Sequence, residues 1–244
     1  MSLKSKFQKA KEQGYIRTAE LLWTRFVPPW IFRYCKGAVF DLDLDKLIAL
    51  NEQPGEDVGD GLIAKCLVNA DDSSAQSNDS QRTRLREFTW NSAPLESTSN
   101  DFGYAIYDSQ DPQKLLGGVW VAADSFIENN LGLNYVLSQD QAWLYCAFVD
   151  GEARGRGIYK KLLSVVAQDV KKRGYARLLT VINPWNRVST AVHEKRSKQI
   201  CGDVSCVRVF WLAWVSRSGN VEIDKRMLTN VAKNPANVTI NCPG

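Results

Sequence analysis

One segment limits what this chain can fold into more than any other: Phe148–Asn186, FVDGEARGRGIYKKLLSVVAQDVKKRGYARLLTVINPWN. It follows on from an apolar, strand-like run, Ala142–Val149. Gly151, Gly155 and Gly157 then fall within seven residues, with Arg154 and Arg156 between them. An amphipathic pattern runs from Gly157 to about Lys172. Ile158, Leu162, Val165, Val166 and Val170 share one face, and Lys160, Lys161, Gln168, Lys171 and Lys172 occupy the other. Gly174 stops that helix, and residues 176–182 (ARLLTVI) read as a buried strand. A second helix is expected from NPWNRVSTAVHEKRSKQ, with its N-cap at Asn186 or Ser189. The order strand–helix–strand–helix–strand–strand after residue 142 predicts an α/β fold.

The glycines have a chemical reading. The first turn of a helix carries unpaired N–H groups and the positive end of the helix dipole. With no Cβ at 155 and 157, an anion such as phosphate can approach those groups, and Arg154 and Arg156 add charge. The plain alternative is a glycine-rich turn that only joins strand to helix. Neither the Walker spacing nor the dinucleotide Gly-x-Gly-x-x-Gly is present.

Composition narrows the rest. The 244 residues are 44% apolar and 24% charged, ordinary for a globular chain. The net charge of +4 is unevenly placed: residues 1–36 hold eight Lys or Arg against Glu12 and Glu20, which leaves the remainder slightly acidic. Six cysteines form no Cys-x-x-Cys pair and there is one histidine, so no metal site is expected. Cysteine usage predicts reduced thiols and a cytoplasmic protein, with Cys146 a small core residue. No apolar run reaches the ~18 residues of a membrane span, and the N-terminus lacks the features of a signal peptide.

Residues 3–26 read as a helix, stopped at Val27-Pro28-Pro29-Trp30. Two domains are therefore expected: a basic helical N-terminal extension, 1–36, and the main domain, 37–244. Within the latter, 37–50 begins as a strand and 51–60 is a loop. GLIAKCLV (61–68) is a short apolar element of open type, and 69–81 is a mobile loop without periodicity. Phe102–Tyr107 and Leu115–Ala122 are strands. SCVRVFWLAWVSR and NVEID are expected to pair across Ser218-Gly219-Asn220. Trp120, Trp211 and Trp214 are expected in the core rather than as a substrate platform.

The residues Glu152-Ala153-Arg154-Gly155-Arg156-Gly157 resemble the acyl-CoA-binding motif of the GNAT N-acetyltransferase superfamily, Gln/Arg-x-x-Gly-x-Gly/Ala, with Glu152 departing at the first place. Further on, Asn186, Ser189 and His193-Glu194-Lys195 resemble the family's Asn-x-x-Ser/Ala followed by Tyr-Glu-Lys, with His193 in place of tyrosine. The similarity covers roughly residues 100–225. It implies a mixed central sheet with splayed parallel strands, here 142–149 and 176–182, flanked by helices. It further implies transfer of an acyl group from acetyl-CoA, or a longer acyl-CoA, to an amine acceptor. Cofactor-binding residues would be Phe148, Val149, Arg154, Gly155, Arg156, Gly157, Ile158, Asn186 and Ser189. Phe148 would offer its N–H to the oxyanion, His193 would protonate the departing thiolate, and the amine proton would go to Tyr145, to Glu128 or to a water relay in place of a base.

The N-terminal extension has two readings. It is either a helix that shields the main domain or a basic amphipathic segment at an anionic membrane surface, anchored by Trp23, Phe26, Trp30 and Phe32. The alternative function is a GNAT-like protein that binds CoA or another phosphate ligand without turnover. A nucleic-acid partner is not expected, since no recognisable nucleic-acid motif accompanies the basic residues.

Overall fold

Strand β4 (Leu115–Ala122) is buried along its whole length. A strand covered on both faces reads as a continuous apolar run rather than an alternation, and the sequence LLGGVWVA explains how both faces are closed. A Cβ at Gly117 would lie 2.6 Å from Ile158, and one at Gly118 would collide with Leu85. Two helices therefore seat against β4 at adjacent glycines, α2 (Ala75–Thr89) and α3 (Ile158–Lys172), which carry Leu85 and Ile158.

The computed structural model describes residues 27–28, 31–50, 58–67, 75–89, 101–128, 131–229 and 233–242. Their chain divides into two compact units, each continuous only in space. One takes the described residues up to Phe40, Glu128–Tyr135 and Val181 onward; the other takes Asp41–Ile127 and Val136–Thr180. The helix expected over 3–26 lies outside the described residues.

In the second unit the strands run in the sheet order β8-β7-β4-β3-β2: β8 (Arg177–Ile182), β7 (Gln141–Val149), β4, β3 (Phe102–Asp108) and β2 (Leu62–Leu67). β7 to β2 are antiparallel, and β8 is parallel to β7. The apolar stripe of α3, including Leu162, Leu163, Val166 and Val170, is buried. Full burial of each such side chain contributes about 1.5–3 kcal/mol. Helix α1 (Leu44–Ile48) is capped by Asp43, whose side chain accepts the Lys46 N–H, and the Ser164 hydroxyl donates to its Ile48 carbonyl.

In the first unit, β1 (Phe32–Leu42) belongs to a sheet in the order β12-β10-β9-β1, with β9 (Ser197–Val209), β10 (Leu212–Arg217) and β12 (Met227–Thr229). A second sheet has the order β11-β13-β6, with β11 (Val221–Ile223), β13 (Ala236–Ile240) and β6 (Leu133–Val136). β5 (Ser125–Glu128) precedes β6, and helix α4 (Arg187–Glu194) precedes β9.

Four expectations are corrected. Residues 75–81, expected in a mobile loop, begin α2, whose buried face Arg82-Leu85-Thr89 carries two polar residues and so shows little apolar periodicity. The hairpin joined by 218–220 is absent: β9 and β10 turn instead at Phe210–Trp211, and β11 pairs with β13. Trp120 is in the core, but Trp211 and Trp214 are exposed, since Trp214 lies on the open face of β10. Cys201 and Cys242 are joined by a disulfide, against the expectation of reduced thiols.

Candidate active site

β7 loses its regular pairing just where the sequence places the chemistry. Gly118 stands opposite Phe148, yet Trp120 stands opposite Tyr145, so two steps on β4 span three on β7. The surplus residue makes a β-bulge. Cys146 lies in it with φ 49°, a conformation non-glycine residues seldom adopt. It is half-buried, not the core residue expected. On the other edge, the parallel register with β8 covers only Gln141–Leu144 against Arg177–Thr180. The Thr180 hydroxyl then donates to the Leu144 carbonyl at 2.9 Å. Beyond Leu144, β7 continues to Val149 with β4 as its registered partner.

The ladder also decides which backbone groups face that open edge. The Asp150 N–H donates to the Leu116 carbonyl at 2.9 Å. Hydrogen-bonded pairs recur at every second residue of an antiparallel ladder, so Phe148 turns its N–H and carbonyl toward Gly118. Val149, one residue on, turns its own away from β4. The N–H of Phe148, the expected oxyanion donor, thus faces β4, and that of Val149 faces the other edge.

Past Val149 the chain is braced before it is opened. Asp150 accepts the Glu152 N–H with its carboxylate and the Ala153 N–H with its carbonyl, and Ala153 is buried. Arg154, Gly155 and Arg156 are exposed, as is Glu152. Gly155 has φ 84°, and Gly157, the N-cap of α3, has φ 75°. Both values require glycine or strain. No side chain caps α3, and its first turn has no acidic residue. A Cβ at either glycine would meet nothing within 4 Å, so the ground before the helix terminus is open. Lys161 holds the neighbouring 58–60 loop through the Val58 carbonyl and an ion pair with Asp60 at 3.0 Å.

Behind the bulge lies a polar cluster that sequence reading missed. The Tyr145 hydroxyl donates to Asp101 Oδ2 at 2.6 Å, and Asp101 is buried. Arg82 Nη1 donates to the Asp101 and Leu67 carbonyls. Trp120 Nε1 donates to Thr89 Oγ1 at 3.1 Å, with the Arg82 and Arg86 guanidinium groups over its ring. Phe88 meets Phe148 edge to face at 5.1 Å between centroids. Burial, then the Asp101 charge, pushes the Tyr145 phenol well above its usual range. Tyr145 therefore keeps its proton, held on the Asp101 carboxylate by this hydrogen bond. Of this cluster the sequence reading had named Tyr145, Trp120 and Phe148 alone; Asp101 follows an undescribed segment, and Arg82, Arg86, Phe88 and Thr89 lie on a stretch for which no element was expected.

Asn186, Ser189 and His193 belong to the other unit. Asn186 is the N-cap of α4: its Oδ1 accepts the Ser189 N–H at 3.2 Å. His193 is buried, near the Phe40 ring, with Nδ1 at 2.7 Å from the Ser189 carbonyl and 3.3 Å from its hydroxyl. A carbonyl only accepts, so Nδ1 carries the proton. Burial lowers the imidazole pKa, with the Ser189 hydrogen bond opposing and Arg196 adding to the shift. The ring is thus neutral near pH 7. Glu128, the other base considered, closes a turn with its carbonyl, which accepts from Leu131 and Gly132.

A bulged strand whose parallel ladder ends early leads through a glycine turn into a helix terminus that no side chain caps, an arrangement that suits an extended anionic ligand. The acetyltransferase (GNAT) family model matches residues 68–197, more than half of the chain, and the chain belongs to that family. No curated protein matches it. Among solved structures it is similar to a Drosophila protein from a structural-genomics programme (14% identity, TM-score 0.47, 79% of this chain and 56% of that one). It is also similar to an aminoglycoside acetyltransferase from an uncultured soil sample (18%, 0.41, 59% and 95%). A third is a ribosomal-protein-alanine N-acetyltransferase from Brucella melitensis (15%, 0.36, 57% and 92%). At these identities and scores the likenesses fix neither acceptor nor mechanism.

Proposed function

We propose that this chain transfers an acyl group from acetyl-CoA, or a longer acyl-CoA, to an amine by direct attack. The observation that carries the reading is the end of the β7–β8 ladder at Leu144 and Thr180, which leaves the Tyr145–Val149 edge for an extended ligand. The backbone of Val149, next to Phe148, would pair with the pantetheine arm. The N–H groups of Arg154, Gly155, Arg156, Gly157 and Ile158 would take the pyrophosphate.

The amine nitrogen attacks the thioester carbon. A C–N bond forms, the carbonyl oxygen becomes an oxyanion on the Val149 N–H, and collapse expels the thiolate. The amine proton passes to the Tyr145 oxygen as Tyr145 gives its own proton to Asp101, so the phenol is never an anion. His193 is the proposed donor to the thiolate, with Asn186 and Ser189 holding its helix. Of the 1–36 arm, Phe32–Lys36 belong to β1; the part before it keeps the proposed reading of a peripheral membrane contact on the cytoplasmic side.

Turnover separates this from the non-catalytic alternative. Release of free CoA thiol with a panel of primary amines supports transfer. Acetyl-CoA binding by thermal shift, with no thiol release for any amine, would leave a binding protein.

A further inference from the structure

Four cysteines lie outside the Cys201–Cys242 disulfide: Cys35, Cys66, Cys146 and Cys206. Two of them belong to neighbouring strands of one sheet in the first unit, Cys35 to β1 and Cys206 to β9. Two contacts fix how those strands run past each other. The Phe210 N–H donates to the Ile31 carbonyl at 2.9 Å, and Lys36 Nζ lies 3.5 Å from Asp203 Oδ2. Numbers rise on β1 as they fall on β9, so the strands are antiparallel. Ile31 opposite Phe210 then sets the register. Cys35 is four residues after Ile31 and Cys206 four before Phe210, which places the two cysteines directly opposite each other. The ion pair agrees, since Lys36 and Asp203 become diagonal neighbours on the other face.

Hydrogen-bonded pairs recur at every second residue of such a ladder, so Cys35 and Cys206 form a pair of the same kind as Ile31 and Phe210. Opposed Cα atoms in that kind of pair are about 5.5 Å apart, with both side chains on one face. A disulfide takes Cα atoms roughly 4.4–6.8 Å apart. The electrostatics follow the same register. Burial first, and then Cys35, push the Cys206 thiol up to about 11. Burial and then Cys35 raise the Tyr135 phenol on β6, with Glu128 and Cys206 adding to the shift. The two sulfurs differ in access. Cys206 is buried, and its S–H donates to the Leu131 carbonyl at 3.6 Å, whereas Cys35 is half-buried. A thiol partly open to water, backed by a buried one, is the arrangement of a reacting and a resolving cysteine.

We propose that Cys35 and Cys206 are a redox modification site, a dithiol that peroxide closes to a disulfide between β1 and β9. The Cys35 sulfur attacks one oxygen of hydrogen peroxide. The O–O bond breaks, Cys35 becomes a sulfenic acid, and water leaves. The Cys206 sulfur then attacks the Cys35 sulfur. The S–S bond forms, and the sulfenic hydroxyl departs with the Cys206 proton as a second water. Two thiols are oxidised and one peroxide is reduced to two waters. The inference is independent of acyl transfer and stands whether or not the chain turns over acyl-CoA.

The test treats the folded full-length protein with one equivalent of hydrogen peroxide, alkylates the remaining thiols, and maps tryptic peptides by mass spectrometry without reduction. Two of the four thiols titrated after unfolding should be lost. The Cys35 peptide should be recovered joined to the peptide of residues 199–208, and dithiothreitol should separate them. That second peptide carries both Cys201 and Cys206. Cys206→Ser should therefore abolish the join, and Cys201→Ser should leave it. If Cys206→Ser fails to fold, as read by circular dichroism, Cys35→Ser at the half-buried position should spare two further thiols from peroxide. Absence of the join in the wild type would overturn the proposal. So would a join that survives Cys206→Ser, one that forms only between two chains as a covalent dimer, or joining of Cys35 to Cys66 or Cys146 to the same extent.

Discussion

The Thr180 hydroxyl donates to the carbonyl of Leu144 at the last residue pair that β7 and β8 share. A carbonyl that would otherwise continue toward the next ladder bond is satisfied by a side chain, so the strands can part without leaving a buried acceptor unpaired. One residue further along β7 is Tyr145, and the bulge at Cys146 follows it. The end of pairing, the bulge and the open edge are thus one local device built over Leu144–Val149.

The glycine turn gives the first prediction. Acetyl-CoA should raise the melting temperature by mass action, and Gly155→Val should abolish that shift. The left-handed φ of Gly155 makes valine cost about 1–2 kcal/mol of stability. Because a Cβ there meets nothing within 4 Å, the variant should still fold. Differential scanning fluorimetry with and without acetyl-CoA checks both effects. An undiminished ligand shift in folded Gly155→Val would remove the pyrophosphate assignment.

Tyr145→Phe tests the proton relay. Loss of the hydroxyl takes a donor from the buried Asp101 carboxylate and should cost about 1–3 kcal/mol. The rate should fall by about 10²-fold, in the range of general acid–base catalysis, with acetyl-CoA affinity nearly unchanged. Asp101→Asn should lower kcat by a similar factor, since an amide cannot accept the relayed proton. Equal kcat in wild type and Tyr145→Phe would exclude the relay and leave solvent as the proton acceptor.

Much of the fold was legible because its period and punctuation agree. β4 was expected at Leu115–Ala122 and lies there; α3, expected from Gly157, runs from Ile158 with Gly157 as its N-cap, and Asn186, one of the two N-caps considered, caps α4. What sequence reading missed has common physical causes. α2 buries Arg82 and Thr89 through hydrogen bonds, so its inner face does not look apolar. The β9–β10 turn has no glycine, proline or asparagine to mark it, because Phe210 adopts the turn conformation under strain. The bulge at Cys146 depends on its register with β4, which no local pattern in AWLYCAFV reports. Asp101 and Tyr145 are 44 residues apart, and only the sheet order brings them together.

The disulfide yields a prediction about conditions. It links residues 41 apart, Cys201 at β9 and Cys242 just after β13. A closed loop of this length constrains the unfolded chain, so reduction should lower stability by about 2–4 kcal/mol. Cys201→Ser should be as unstable as the reduced wild type and insensitive to reductant. Denaturant melts with and without a phosphine reductant measure this. A reductant effect that persists in Cys201→Ser would place the sensitive bond elsewhere.

His193 gives the most exacting prediction because stability and catalysis pull its proton in opposite directions. Burial holds its pKa below the ordinary ~6.5. Between that lowered value and ~6.5 the unfolded chain binds a proton that the folded chain does not. The contribution of the neutral ring is therefore fully present above ~6.5 and is lost as pH falls through this window. His193→Gln should flatten that part of the stability profile. A proton donor, by contrast, must be imidazolium, which is the minority form near pH 7 in this site. If His193 protonates the thiolate, wild-type kcat should fall as pH rises above the lowered pKa, and His193→Ala should lose about 10²-fold in kcat with nearly unchanged acetyl-CoA affinity. His193→Tyr should recover part of the rate, since a phenol can donate over the same range. A flat wild-type kcat between about pH 6 and 9, together with full activity in His193→Ala, would show that the ring only supports α4 through the Ser189 carbonyl.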